Sequence, residues 1–220
     1  MEGLEEFLKT EFWKKLEGTI RQSLQRPVSE FVCYGIGSFA LCLIARQQLL
    51  LALALRRVLK IPDEDAFIYD PLYAPSHNKF LETRLKFKII DANEEGKRQV
   101  NSSTVFFMPH CGKPLYNNLL WRNWNIDSLS DMIIIGNSFN YMNDSTPRRI
   151  LEEEAKYILK ILDKCSEIQL ENSFPQSDVF NNTSLHIFPR ILLDKAPATL
   201  WKDCAEPEYA DSVEIQLKSL

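Results

Sequence analysis

The residue types best suited to chemistry fall in four short stretches. Gly35-Ile36-Gly37-Ser38-Phe39-Ala40 follows the apolar run "FVCY" and leads into a long apolar segment. Its Gly-x-Gly-x-x-Ala spacing matches the dinucleotide-binding turn in its Gly/Ala form. In that turn the first glycine permits the bend, the second admits a ligand to the backbone, and the small third residue lets helix and strand pack closely. Ser38 also suits a helix N-cap, whose following amides favour an anion. A tight turn with no ligand satisfies the same spacing, so a structural loop remains the alternative. Asp70-Pro71 follows "AFIY", where an acidic side chain would hold a ribose hydroxyl. It arrives later than the usual interval of about 20 residues, and a turn-forming Asp-Pro whose carboxylate caps the next helix is the plainer reading.

The third stretch, "MPHCGKPLYNN", carries His110 and Cys111. Side by side they offer a base and a thiol, but neighbours on an extended chain point in opposite directions. No second Cys or His lies within a few residues, so zinc-type spacing is absent and no metal ligand is assigned. A hydrogen-bonded histidine beside a core thiol is the plainer reading, and no catalytic residue is assigned. The fourth, Gly136-Asn137-Ser138, either lines the same cleft or caps its turn. Arg46 lies inside an apolar helical segment, where a buried guanidinium needs an acceptor such as Glu94-Glu95 or an anionic ligand. His77 and His186 have no evident partners, and Trp121, Trp124 and Tyr141 belong either to the core or to a partner surface.

All four stretches require strands that end at one edge. Short apolar runs alternate with helical patterns from residue 31: "FVCY" with a helix over 38–59, "AFIYD" with one near 76–84, then "FKII", then "TVFFMP" with 113–122, and "DMIII" with 146–163. Such alternation predicts parallel strands covered on both faces, a Rossmann-like doubly wound α/β sheet. "SEIQLE" (166–171) and "SLHIFP" (184–189) have only loop between them, which predicts a terminal antiparallel hairpin. The expectation is a sheet of about seven strands with the methyltransferase-like ending. Leu8, Phe12, Leu16, Ile20 and Leu24 make one helical stripe before Pro27. The chain therefore divides into an N-terminal amphipathic helix (1–28), the sheet domain (29–190) and a tail without a strong period (191–220).

Bulk properties narrow the partners. The 220 residues close a single sizeable core, and 45% apolar with 25% charged is globular composition. A net charge of −4 with only short basic clusters argues against direct nucleic-acid binding. Residues 39–55 are interrupted by Arg46-Gln47-Gln48, which argues for a core helix rather than a membrane span. The acidic amphipathic start is unlike a secretory signal, so the tripeptides at Asn101 and Asn182 carry little weight as glycosylation sites. Five irregularly spaced cysteines suggest reduced thiols in a cytoplasmic or nuclear monomer.

Taken together, "VCYGIGSFA", "ARQQL", "YDP", "ANEEGKR", "TVFFMPHC", "LYNNLLWRNW" and "IIIGNSFNY" resemble the SRR (sensitivity to red light reduced) domain, in its animal form. The resemblance spans roughly residues 30–142, with "TSLHIF" as its last element. It implies a regulator of circadian-clock gene expression and of haem biosynthesis, and it implies no reaction, catalytic residue or established cofactor. Three classes follow. The first is a regulatory protein binding a small nucleotide-like ligand (S-adenosylmethionine-like or NAD-like) through Gly35, Gly37, Ser38, Arg46, Asp70, His110, Cys111 and Asn137. The second is a methyltransferase-like or thiol-using enzyme, although the Asp/Asn-Pro-Pro-aromatic segment of many methyltransferases is missing after the fourth strand. The third is an interaction module whose glycine loop is structural, with regulatory protein partners. Direct haem ligation by a histidine or Cys111 has no motif behind it.

Overall fold

Thr104–Met108 is buried at every position, as only a strand covered on both faces can be. In the computed structural model, which describes residues 2–24, 26–202 and 204–209, this strand is the centre of a single seven-stranded sheet. The strands are β1 (Glu30–Tyr34), β2 (Ala66–Tyr69), β3 (Lys88–Ile89), β4 (Thr104–Met108), β5 (Met132–Asn137), β6 (Ser166–Gln169) and β7 (Thr183–Ile187). Their order is β3-β2-β1-β4-β5-β7-β6. The first five run parallel, while β7 pairs antiparallel with both β5 and β6. The expected Rossmann-like fold with a terminal hairpin is what the chain adopts.

Alternate strand residues serve two helical layers. Phe31, Cys33, Val105, Phe107, Ile133 and Ile135 face α1 (Glu2–Phe7), α2 (Glu11–Ser23) and α3 (Leu43–Leu59). Val32, Tyr34, Phe106, Met108 and Ile134 face α5 (Lys113–Arg122), α6 (Ile126–Ser130) and α9 (Lys156–Ile161). The remaining helices are α4 (Pro75–Thr83), α7 (Phe139–Ser145), α8 (Arg148–Glu154) and α10 (Arg190–Leu193).

Several expected boundaries move, each for a local reason. The N-terminal stripe is two helices, because Thr10 adopts an extended conformation and its hydroxyl caps α2 through Trp13 N at 3.2 Å. Both helices pack on the loop between β6 and β7, with Phe12 stacked on Phe180 at 4.5 Å. The helix expected over 146–163 is interrupted at Ala155 (φ −143°), and Asn117 of α5 accepts the amide of Tyr157 at 2.7 Å just beyond the break. The helix after β1 starts at Leu43 rather than at residue 38. Residues 39–41 form a turn, and Ser38 O accepts from Leu41 N and Cys42 N.

The described part of the tail, expected to be partly ordered, makes specific contacts with the helical layer. After α10 it runs across α5 and α9: Trp124 donates to Leu200 O, Trp121 to Cys204 O and Tyr157 to Ala205 O, each between 2.7 and 2.9 Å. Tyr209 Oη accepts from Asn117 at 2.7 Å. Trp124 is thereby buried, so the indoles serve the core and the strap. Residues 210–220 of the expected tail lie outside the described residues. No helix among the described residues is long and apolar enough to cross a membrane.

Candidate functional site

In strand order β1 lies between β2 and β4, so the loops after β1 and β4 diverge at the carboxyl edge and leave a crevice. A cleft of about 320 Å³ lies there, walled by Gly35 and Gly37 after β1, Asp70 and Leu72 after β2, and His110 to Gly112 after β4. Tyr34, Tyr69, Asn93, Gly96 and Leu115 complete it. Five of the expected site residues therefore meet: Gly35, Gly37, Asp70, His110 and Cys111.

The glycine loop is shaped by its neighbours. Gly35 (φ +70°) and Gly37 (φ +80°) lie in the left-handed region, which L side chains disfavour. A Cβ on Gly35 would stand 2.5 Å from Cys111 Sγ, so the first glycine lets the β4 loop close against β1. Asp70 holds the loop directly: Oδ2 accepts Gly37 N at 2.6 Å and Oδ1 accepts Leu72 N at 2.8 Å. Burial pushes its carboxyl up, and the Leu72 and Gly37 amides and His77 pull it back. Asp70 does not cap α4; there His77 Nδ1 accepts Ala74 N at 3.1 Å, so His77 does have a partner.

Two expectations are corrected. Ser38 does not cap the following helix, whose cap position is Cys42 and carries no side-chain hydrogen bond. Ser38 also lies outside the lining of the cleft, as does Arg46. Arg46 is exposed, and it donates to Phe39 O at 2.8 Å and Ala40 O at 2.6 Å rather than to Glu94-Glu95. By taking two carbonyls at the start of the helical pattern, it favours the turn there over a further helical turn. The buried guanidinium of this helix is Arg56, which donates to Leu85 O and Lys86 O and pairs with Asp63.

Glu94 has a separate task. It accepts from Tyr34 Oη and from Arg98, which also pairs with Glu30 at 2.9 Å and lies 4.3 Å over the Phe67 ring. Burial, followed by the Glu94 charge, pushes the Tyr34 hydroxyl far above its ordinary range. This network fixes the "ANEEGKR" loop as a cleft wall.

His110 is left-handed (φ +55°) and exposed, and its Nε2 lies 3.1 Å from Val179 O. Asn137 locks the segment from the adjacent strand end: its Oδ1 accepts His110 N and its Nδ2 donates to Cys111 O, both at 2.9 Å. Asn137 is thus a positioning residue for a strap over 110–112. Cys111 Sγ is buried, 3.5 Å from Tyr34 O. None of the five cysteines forms a disulfide. Among the described residues no group of three His, Cys, Asp or Glu side chains could hold a metal.

A cluster with no sequence signal lies beside these loops. Register places Glu167 of β6 opposite His186 of β7. Glu167 accepts from Ser138 Oγ and, at 3.0 Å, from Asn140 N, with His186 Nε2 3.6 Å away. His186 Nδ1 lies 3.2 Å from Ile134 O, so this histidine also has partners. Burial alone would push the Glu167 carboxyl up, but His186, Ser138 and Asn140 outweigh it and hold it at about 2.

Fold and cleft define a Rossmann-like α/β protein with a ligand-sized crevice at its topological switch point. The model of the SRR1 domain matches residues 8–187, and the chain belongs to the SRR1 domain family. It is 46% identical over 134 residues to an SRR1-like protein of Mus musculus, covering 60% of this chain and 53% of that protein. An SRR1-like protein of Drosophila melanogaster is 29% identical over 205 residues, covering 90% of this chain and 71% of the relative. Protein SENSITIVITY TO RED LIGHT REDUCED 1 of Arabidopsis thaliana is 36% identical over 110 residues, half of this chain and 40% of that protein. The match thus spans about half the length of the mouse relative.

Proposed function

We propose that this chain is a regulatory protein that binds a small, unphosphorylated nucleoside, of the S-adenosylmethionine type, in the cleft between the β1 and β4 loops. One observation carries the reading: Asp70 is the charged residue of the lining, which contains no Lys or Arg. A pyrophosphate would meet a carboxylate with no cation to offset it, and α3 begins too late to offer its amides at Gly37. A cationic or neutral nucleoside instead meets the Asp70 carboxylate, the Tyr34 and Tyr69 rings and the Asn93 amide. This favours a sulfonium nucleoside over NAD. S-Adenosylmethionine would supply a transferable methyl group when bound. The processes to which we assign the binding are those the family resemblance implies, clock-gene expression and control of haem biosynthesis. The plant relative's printed name adds a link to red-light sensitivity.

Thermal melting tests this. S-Adenosylmethionine or S-adenosylhomocysteine at a hundredfold excess over Kd raises Tm by about 5–10 °C, and NAD does not. Gly37→Arg and the exposed-site Leu72→Arg both abolish the shift. No shift from any nucleoside, or an equal shift in Leu72→Arg, defeats the reading.

The reading of a ligand-free interaction module draws on the exposed apolar residues Leu41 and Leu43 at the start of α3. Loss of partner capture in Leu41→Glu, with capture retained in Leu72→Arg, would favour that reading.

A further inference from the structure

The strap over 110–112 has a second face. Behind it lies another cleft of about 320 Å³, between the strap, α7 and the loop leading into β7. Lys113, Asn137, Tyr141, Met142, Thr146 and Asn181 are among the residues that line it, together with Asn182. Its chemistry is the inverse of the nucleoside cleft: no Asp or Glu lines it, and Lys113 does. Lys113 is the first residue of α5, where the helix dipole disfavours a cation, so local helix stability does not account for it. Its ammonium lies 3.5 Å from a half-exposed Glu154, and ion pairs of that kind contribute little. The Tyr141 hydroxyl, the Thr146 hydroxyl and the Asn181 and Asn182 amides make no hydrogen bond to a described residue, so these donors are available. Met142 is buried and gives the cleft an apolar floor.

The wall is held in place. α7 is capped by Ser138, and its start is docked on Glu167 through Ser138 Oγ and Asn140 N. Asn137, on the same strand end, holds the strap. The cleft is therefore bounded by elements fixed from beneath.

We infer that this second cleft binds a small carboxylate, with Lys113 as counter-ion and Tyr141 and Asn181 as donors. One cation, partly engaged by Glu154, matches a monoanionic carboxylate better than a phosphate dianion. The inference goes beyond the nucleoside reading and does not depend on it.

The probes are propionate, a monocarboxylate, and inorganic phosphate, titrated into the full ¹⁵N-labelled chain. Propionate is expected to shift the amides of Tyr141, Thr146 and Asn181 saturably. Lys113→Met weakens that binding about tenfold and Tyr141→Phe several-fold, while Leu72→Arg leaves it unchanged. No saturable shift at these amides, or equal binding by Lys113→Met and the parent chain, overturns the assignment. Tighter saturation by phosphate than by propionate overturns the carboxylate class. Propionate binding without any nucleoside shift in Tm leaves this site standing while the nucleoside reading falls, and the reverse result does the opposite.

Discussion

Gly35 and Cys111 are 76 residues apart in sequence, yet each determines what the other can be. The missing Cβ at Gly35 is the space that Cys111 Sγ fills, and the φ of +70° adds a second reason for glycine. Gly35→Ala is expected to cost about 2–4 kcal/mol, the sum of left-handed strain and overpacking. Adding Cys111→Ala should relieve the packing share, so that urea denaturation of the four-member cycle shows a coupling of about 1–2 kcal/mol. Strictly additive costs would mean that the thiol and the glycine are independent. Asp70 is similar in kind: the sequence placed it at the right strand end, but whether its carboxylate faces a ligand or its own backbone depended on where Gly37 N points. The carboxylate binds the loop amides, and Asp70 also lines the cleft.

Among the elements, α7 depends most on something far away in sequence. Glu167 and His186 meet only because β6 and β7 pair in this register, and a one-residue slip would turn Glu167 to the other face. The Glu167 carboxyl is held at about 2 against an ordinary 4.5. Its pKa is lower folded than unfolded, so the stabilisation is complete above the unfolded value and disappears as pH falls through the folded one. That contribution, on the order of 2 kcal/mol, should fade between about pH 4.5 and pH 2. Stability measured against pH should fall over that window in the parent chain and fall less in Glu167→Gln. Amide exchange in α7 should speed up in the same variant at pH 7. Parallel pH profiles for the two proteins would remove Glu167 as the anchor.

On the scale of the whole molecule, the strap after α10 closes the layer built from α5 and α9. Trp121, Trp124 and Tyr157 each direct a polar group at a strap carbonyl, and Trp124 packs 4.7 Å from Tyr157 and 5.7 Å from Trp201. Truncation after residue 196 exposes both aromatic faces and strands three donors. It should lower unfolding stability by about 3 kcal/mol or more and shift the emission of the remaining tryptophans to the red. Unchanged emission would mean that the strap does not cover them.

Strand identity and the reversed final strand were legible in the sequence, because buried parallel strands must be continuous apolar runs and the final hairpin had only loop between its runs. The meeting of the Gly35, Asp70 and His110 stretches was legible for the same reason: strands of one direction end at one edge. Local pattern alone did not determine which polar group engages which. The apolar residues around Arg46 suggested burial, but only packing distinguishes the exposed side of α3, with Arg46, from the side that encloses Arg56. The Asn137 clamp, the Glu167 anchor and the second cleft have no sequence period at all. The clamp and the anchor arise from contacts between residues 26 to 29 positions apart, which only strand pairing and loop closure bring within 3 Å.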